Sequence, residues 1–180
     1  YPTTTDFGFG TTNWAAECFI RPSSVTGTQY IFDFRNASAT DTAPTVYLNG
    51  TALHFGVGNT SQATGGTLST GTWYHVAVAR SGGSTKLFLD GVQVGSTYTD
   101  ANNYGTTKPL VVGSDYNSGA NAFAGHIDEV RISKAAARYT ANFTAPTSAF
   151  GNDLNTVLLI HFDGTDGATT ITDSSGGVKD

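Results

Sequence analysis

The alternation of apolar and polar side chains is clearest in residues 71–95. Residues 73–80, W-Y-H-V-A-V-A-R, alternate β-branched and aromatic residues with smaller or polar ones, which predicts a strand with one buried face. The turn-forming residues 81–84 then reverse the chain into a second strand over 85–89. Asp-Gly at 90–91 precedes another short apolar run, and this pair between apolar runs is a strong hairpin signal. The stretch therefore predicts a three-stranded antiparallel meander.

Shorter alternating stretches predict the remaining strands. They cover residues 15–21, 29–35, 45–48, 51–57, 109–113, 123–132 and 156–162. In residues 29–35 the alternation places Tyr30, Phe32 and Phe34 on one face and Ile31 and Asp33 on the other. Many short strands with turns between them are typical of an all-β sandwich.

A second hairpin is predicted at Asn-Gly, residues 49–50. This pair favours a two-residue turn, which sets Val46 and Leu48 opposite Leu53 and Phe55. All four side chains are apolar, so this face of the hairpin is expected to be buried.

Two polar stretches interrupt the strand pattern. Residues 96–107 and 115–121 are rich in Asn, Asp, Tyr and Gly, which predicts exposed loops. The core is expected to lie between two sheets. Its predicted members are Trp73 or Tyr74, Phe88, Phe34, Val76, Val78, Val130, Ile132 and Leu159.

The strongest strands also resemble a known family. The runs W-Y-H-V-A-V-A-R and K-L-F-L-D-G-V are similar to the central strands of laminin G-like domains, in the concanavalin A-like lectin/glucanase superfamily. Residues 125–140 resemble that family's closing strand and turn, and with residues 17–22 the likeness covers most of the chain. The resemblance implies an antiparallel β-sandwich of jelly-roll type.

Residues 1–180 are expected to form a single laminin G-like domain, since a chain of this length can bury one sizeable core. In the family resembled, however, L-L-I-H-F-D-G followed by D-S-S-G begins a domain, whereas here both occur after residue 157. Two alternatives follow. Residues 156–180 either complete this domain in permuted order or begin the next tandem repeat. The absence of Met at position 1 favours a segment cut from a longer chain.

Composition excludes several classes of function. The net charge is -5 and basic residues occur singly, so no nucleic-acid partner is expected. No apolar run approaches the roughly 18 residues of a membrane span, so no membrane insertion is expected. The single cysteine, Cys18, lies in an apolar strand pattern and is expected to be a small buried residue.

Catalysis is not expected, although the superfamily includes glucanases. Glycoside hydrolysis needs two carboxylic acids that face each other across a cleft. Glu17 and Glu129 are the only glutamates, and the adjacent Asp128 and Glu129 point to opposite faces of a strand. The paired acids of such glucanases are therefore missing.

Asp128 alternates with Val130 and Ile132, so its carboxylate is expected to point inward and to need a partner. That partner is either a backbone or hydroxyl donor or a structural Ca²⁺. In carbohydrate-binding sandwiches that this chain resembles, an Asp of the last strand holds calcium. Asp163 and Asp173 could add ligands if the tail folds back onto the domain.

Carbohydrate binding is the main functional hypothesis. Sugar sites combine aromatic rings with amides and carboxylates on loops that a rigid sheet supports. The predicted ligand-binding residues are Tyr98, Asp100, Asn102, Asn103, Tyr104, Asp115, Tyr116 and Asn117. The alternative is that these are simply the residues that exposed turns contain.

The chain is therefore interpreted as a non-catalytic binding or adhesion module for a glycan or a host-surface receptor. Similar tandem domains are frequent in phage fibre proteins and bacterial surface proteins, so the resemblance implies an extracellular or virion-surface location. The competing hypothesis is a structural protein that decorates a particle, contacts neighbouring copies or other chains of an assembly, and has no sugar site.

Overall fold

The computed structural model describes residues 3–36, 38–116, 119 and 121–176. Within these residues eleven strands form two antiparallel sheets. The six-stranded sheet contains, in spatial order, β11 (Thr156–Ile160), β10 (Gly125–Lys134), β1 (Trp14–Pro22), β6 (Tyr74–Ser81), β7 (Ser84–Leu89) and β8 (Val92–Thr99). The five-stranded sheet contains β5 (Thr60–Gly65), β4 (Ala52–Val57), β3 (Pro44–Asn49), β2 (Thr28–Asp33) and β9 (Val111–Val112). A 3-10 turn spans Thr5–Phe7. The predicted all-β jelly-roll sandwich is confirmed.

An aromatic cluster fills the space between the sheets. Trp14 is completely buried and stacks on Phe9 with ring centroids 4.9 Å apart, while Phe34 meets Phe9 edge-on at 5.2 Å. Trp14 was absent from the predicted core because the apolar pattern placed the strand start one residue later. Of the two alternatives offered for the meander, Tyr74 packs against the core and Trp73 is 45% exposed.

The outer face of the six-stranded sheet is also covered. Phe88 was predicted between the sheets but lies on this outer face, buried with three alanines beneath Tyr139 and Phe143. Those two side chains belong to residues 135–155, which we call the connector because they link β10 to β11. The small alanine side chains leave room for the rings of Tyr139 and Phe143, so the connector packs onto the sheet.

The tail strand β11 lies in this domain's own sheet. It pairs antiparallel with β10, with Ile160 opposite Val130. Its other edge is covered by residues 173–175, where the Ser174 N–H donates to the Leu159 carbonyl at 2.7 Å. The single-domain organisation of residues 1–180, and a next repeat that begins at residue 156, stay predictions. None of the described residues form a helix long and apolar enough to cross a bilayer.

Candidate functional site

Three aromatic rings lie side by side on the outer face of the five-stranded sheet. Tyr30 on β2, Tyr47 on β3 and His54 on β4 are successive cross-strand partners. The ring centroids of Tyr30 and Tyr47 are 5.1 Å apart, and those of Tyr47 and His54 are 4.9 Å apart with planes 9° from parallel. These distances match the spacing of neighbouring strands, because each strand contributes one ring.

An arginine and a fourth ring extend this row beyond β2. The guanidinium of Arg35 lies 4.8 Å from the ring centroid of Tyr30 and 4.6 Å from that of Tyr116. Tyr116 comes from the loop after β9, and its backbone N–H donates to Oδ2 of Asp33 at 2.9 Å. Five planar groups thus follow one another across the face. We call Tyr116, Arg35, Tyr30, Tyr47 and His54 the planar stack.

The cation in the planar stack is neutralised inside the protein. Arg35 Nε donates to Asp33 Oδ1 at 2.9 Å and Arg35 Nη2 donates to Asp33 Oδ2 at 2.6 Å, and both side chains are buried. Burial by itself lowers the pKa of Arg35, but the hydrogen bonds and charge of Asp33 outweigh it, so the pKa is raised. Arg35 therefore stays charged and paired, and it offers no free charge to a ligand.

The opposite end of the stack is a hydroxyl-imidazole cluster. His54 Nδ1 lies 3.0 Å from Ser61 Oγ and 2.9 Å from Thr64 Oγ1, and these two hydroxyls are 3.0 Å apart. Burial lowers the pKa of His54, which favours the neutral imidazole. This end of the stack is therefore polar but uncharged.

The outer edge of the stack carries unoccupied polar groups. Among the described residues, nothing hydrogen-bonds to the hydroxyl groups of Tyr47 and Tyr116 or to Nε2 of His54. A depression of about 210 Å³ lies beside the stack, lined by residues 39–42 and 57–60. Asn59, one of its lining residues, accepts a hydrogen bond from Arg35. This surface offers both aromatic carbon and hydrogen-bonding groups, so it can contact a ring-shaped polar ligand.

Two of the predicted ligand-binding residues, Asp100 and Tyr104, are completely buried. Asp100 accepts hydrogen bonds from the hydroxyls of Thr85 and Tyr104, each at 2.7 Å, and contacts Arg80 at 3.6 Å. Burial and the neighbouring Asp100 charge raise the pKa of Tyr104. The prediction that residues 96–107 are an exposed loop is therefore wrong in two respects. Residues 96–99 belong to strand β8, and Asp100 and Tyr104 are buried because their polar groups bond to one another rather than to solvent.

The other predicted residues of that stretch form hydrogen bonds within residues 96–107. Tyr98 is partly buried at 6.1 Å from the Phe55 ring, and its hydroxyl accepts a hydrogen bond from Asn102. Asn103 is exposed, and its side-chain oxygen accepts the N–H of Gly105. A ligand-binding role for these residues stays a prediction.

The second predicted loop reaches the planar stack. Tyr116 is its outermost ring, as described above. Asp115 is 5% exposed and accepts a hydrogen bond from Asn121, so it supports the loop from inside. Asn117 lies outside the described residues. One of the eight predicted residues, Tyr116, therefore lies in the planar stack.

The prediction that Asp128 points inward is wrong. Asp128 is opposite Phe19, whereas its neighbour Ile127 is opposite Ile20 and packs against the core. Glu129 has a φ of 52°, and the register between the strands shifts there, which is the mark of a β-bulge. The bulge returns Val130 to the core and leaves Asp128 on the outer side. Burial, with the charges of Glu129 and Asp163, raises the pKa of Asp128.

The three predicted calcium ligands do not form one donor set. Asp173 accepts the backbone N–H groups of Leu159 and Ser175, at the edge of β11. Asp128 and Asp163 are close enough to interact electrostatically. Within the described part of the chain, however, no three His, Cys, Asp or Glu side chains form a group that could hold a metal ion. Calcium binding stays a prediction that this donor arrangement does not favour.

Glu17, one of the two glutamates weighed for catalysis, lies in a buried network under the connector. Its carboxylate accepts hydrogen bonds from the Tyr139 hydroxyl at 2.7 Å, from Arg131 Nε at 2.8 Å and from His75 Nε2 at 3.1 Å. Burial raises the pKa of Glu17, but these hydrogen bonds and the Arg131 charge outweigh it and hold the pKa below its ordinary value of 4.5. Glu129 is likewise occupied, by His161 and a backbone N–H. The arrangement stabilises the fold and leaves Glu17 no access to a substrate.

The depressed pKa of Glu17 predicts a pH-dependent stability. A carboxyl group with a lower pKa in the folded state stabilises the fold above its unfolded pKa, and that contribution is lost as pH falls through the folded pKa. The free energy of unfolding is therefore expected to fall as pH decreases below about 4.5. Urea titrations from pH 6 to pH 3 measure it. Glu17→Gln is expected to flatten this part of the curve, and an unchanged slope would contradict the assignment.

Most of the planar stack was missed by the sequence interpretation. The strand alternation does place Tyr47 and His54 opposite the buried face of their hairpin, which was a usable signal. Arg35 and Tyr116 lie 81 positions apart in sequence (116 minus 35), and only the folded sheet brings them together. No local pattern indicates that contact.

A family profile matches most of the chain. It covers residues 1–138 and represents a laminin G family described as "Concanavalin A-like lectin/glucanases superfamily". The match includes the whole planar stack and the Glu17 network except Tyr139. No curated protein sequence matches the chain.

Several solved structures share the fold. A candidate carbohydrate-binding protein from Bacteroides ovatus superposes with a TM-score of 0.66 at 17% identity, over 96% of this chain and 52% of that one. Domains LG4-5 of the mouse laminin α1 chain give 0.55 at 16% identity, over 82% and 44%. The CBM40 domain of a Ruminococcus gnavus sialidase, bound to α2,3-sialyllactose, gives 0.60 at 13% identity, over 72% and 79%. The chain thus spans about half the length of the first two structures, and at these identities the likeness concerns the fold.

Proposed function

The chain belongs to the laminin G-like family of the concanavalin A-like lectin/glucanases superfamily, and from that premise we propose that it is a non-catalytic module that binds a neutral glycan. The proposed site is the planar stack on the outer face of the five-stranded sheet. Carbohydrate-binding proteins among the structures of similar fold support this class of function.

The observation that carries the proposal is the composition of the stack. Sugars present an apolar face of C–H groups and a rim of hydroxyls, so their sites pair an aromatic ring with hydrogen-bonding groups. The inner groups of the stack face one another, so the sugar ring is proposed to contact Tyr116, the partly exposed ring at the end of the row. The Tyr47 hydroxyl and Nε2 of His54, which have no hydrogen-bond partner among the residues that the structure describes, are proposed to bond sugar hydroxyls further along the same row.

The charge state of the stack favours a neutral sugar. The only cation, Arg35, is paired with Asp33 in a buried bidentate contact. An anionic ligand would have to compete with that carboxylate, whereas a neutral one leaves the ion pair intact. Neutral oligosaccharides are therefore proposed as the ligand class.

A glycan array on the full chain, followed by calorimetry with a neutral oligosaccharide that it identifies, tests the proposal. Tyr116→Ala is expected to weaken binding by about tenfold or more, since it removes the stacking ring. Tyr47→Phe keeps the stack but removes one hydroxyl, and a loss of a few-fold is expected. Trp73→Ala, on the other sheet, is the matched control and is expected to leave this affinity unchanged.

The competing structural role predicts a different result. A particle-decorating protein without a sugar site would bind nothing on the array, and unchanged affinity in both tyrosine variants would also contradict the proposed site. A host-surface receptor, contacts with neighbouring copies or other chains of an assembly, and an extracellular or virion-surface location, as in a phage fibre, stay predictions. Purified parent particles, probed with an antibody to this domain, would test that location.

A further inference from the structure

Three exposed side chains lie in a row on the outer face of the six-stranded sheet, where its strands β1, β6 and β10 begin or end. This face is on the side of the molecule opposite the planar stack. Arg21 on β1 is the cross-strand partner of His126 on β10, and Trp73 immediately precedes β6. The indole of Trp73 is 45% exposed, and its ring centroid lies 6.3 Å from that of His126. Because β1 lies between β6 and β10, the two rings approach each other above Arg21.

The guanidinium of Arg21 is unusual in this chain. Arg35, Arg80, Arg131 and Arg138 each form an ion pair with a carboxylate. Arg21 forms no ion pair with the described residues. Its one hydrogen bond to them is donated by Nε to the Gly71 carbonyl at 3.0 Å. That bond fixes the side chain and leaves both terminal nitrogens open to a ligand. The Trp73 indole N–H is also without a hydrogen-bond partner among the described residues.

The row is built on rigid backbone. The Gly71 N–H donates to the Pro22 carbonyl at 2.8 Å, and the Ser23 N–H donates to the Ala124 carbonyl at 2.8 Å. Gly125 allows the strands to approach closely, since a Cβ at this position would lie 2.3 Å from the Arg21 carbonyl oxygen. The three side chains are therefore held by fixed strand ends, which reduces the entropy cost of binding.

We propose that Trp73, Arg21 and His126 form a second binding site, for a sugar that carries a carboxylate. The indole face receives the apolar face of the sugar ring, as exposed tryptophan does for amphipathic ligands. The terminal nitrogens of Arg21 form a bidentate contact with the carboxylate, the geometry that a guanidinium fork matches. His126 and the indole N–H are placed to bond the ring hydroxyls.

Charge argues for this ligand over a neutral one. The Arg21 guanidinium, which has no carboxylate partner in the part of the chain that the structure describes, is a local positive site in a chain of net charge -5. This site also differs in chemistry from the planar stack, where the cation is already paired. The second site is independent of the proposed function, and either site can be present without the other.

The test is calorimetry of the full chain with trigalacturonic acid and with its methyl ester, which has the same rings without the charge. The acid is expected to bind at least about tenfold more tightly than the ester. Arg21→Gln and Trp73→Ala are each expected to weaken binding of the acid by about tenfold. Arg21→Lys, which keeps the charge but not the fork, is expected to lose less than Arg21→Gln. Tyr116→Ala is expected to change nothing at this site.

Because Arg21 and Trp73 are exposed, variants at these two positions are expected to stay folded, and their melting temperatures check this. If Trp73→Ala unfolds, the comparison of acid with ester and the Arg21→Gln variant still test the proposed site. Equal affinity for acid and ester, an Arg21→Gln variant that binds normally, or no binding of the acid would each overturn the proposal. A sulfated trigalactoside that bound as tightly as the acid would overturn the carboxylate assignment.

Discussion

Replacing Glu17 with Ala is expected to lower the free energy of unfolding by about 3–5 kcal/mol, because one carboxylate serves three buried donors. His75, Arg131 and Tyr139 all bond to Glu17, and without it a buried guanidinium has no counter-charge. For a domain of this size the melting temperature is expected to fall by about 10 °C. Urea denaturation and calorimetry measure both quantities.

Two variants make the Glu17 result specific. Glu17→Gln keeps the shape and one acceptor oxygen but removes the charge, so an intermediate loss is expected. Asp166→Asn changes an exposed carboxylate and is expected to alter stability by less than about 0.5 kcal/mol. A Glu17→Ala variant as stable as Asp166→Asn would show that the network contributes nothing.

Replacing Asp100 with Ala is expected to have an effect of similar size, about 3–5 kcal/mol. The change removes the acceptor for the Thr85 and Tyr104 hydroxyls and the carboxylate that faces Arg80. Affinity for a glycan, measured well below the melting temperature, is expected to be unchanged, because Asp100 is completely buried. Thermal unfolding and calorimetric titration of the same sample separate the two effects.

Asn103→Ala is the matched control for Asp100→Ala, since Asn103 lies in the same stretch but is exposed. It is expected to cost less than about 1 kcal/mol, the value of its single turn hydrogen bond. If Asp100→Ala abolished glycan binding in a protein of normal stability, Asp100 would belong to a ligand site after all.

The sequence predicted the sheets better than the faces of individual strands. The hairpin between β3 and β4 has Val46 opposite Phe55 and Leu48 opposite Leu53, so the four predicted apolar residues do face each other. On β2, by contrast, a register shift between Tyr30 and Phe32 puts these two residues on opposite faces. Strict alternation cannot reveal a bulge, because the extra residue leaves no compositional mark.

The candidate site was predictable only where one loop residue carried a visible signal. Tyr116 was identified as an aromatic residue in a polar loop. Asp100 and Tyr104 had the same signal and are buried, because the sheet brings their partners Arg80 on β6 and Thr85 on β7 beside the end of β8. Loop composition reports which groups need hydrogen bonds, whereas the partner that supplies them is decided by tertiary contacts.

Residues 173–175 have a consequence for behaviour at high concentration. An outermost strand normally exposes a row of backbone amides and carbonyls on which a second molecule can polymerise. Here the Leu159 carbonyl and N–H are already engaged, by Ser174 and Asp173 respectively. A strand from another molecule would have to peel this segment away before it could add, so crowded copies of the domain are not expected to grow into fibres through β11.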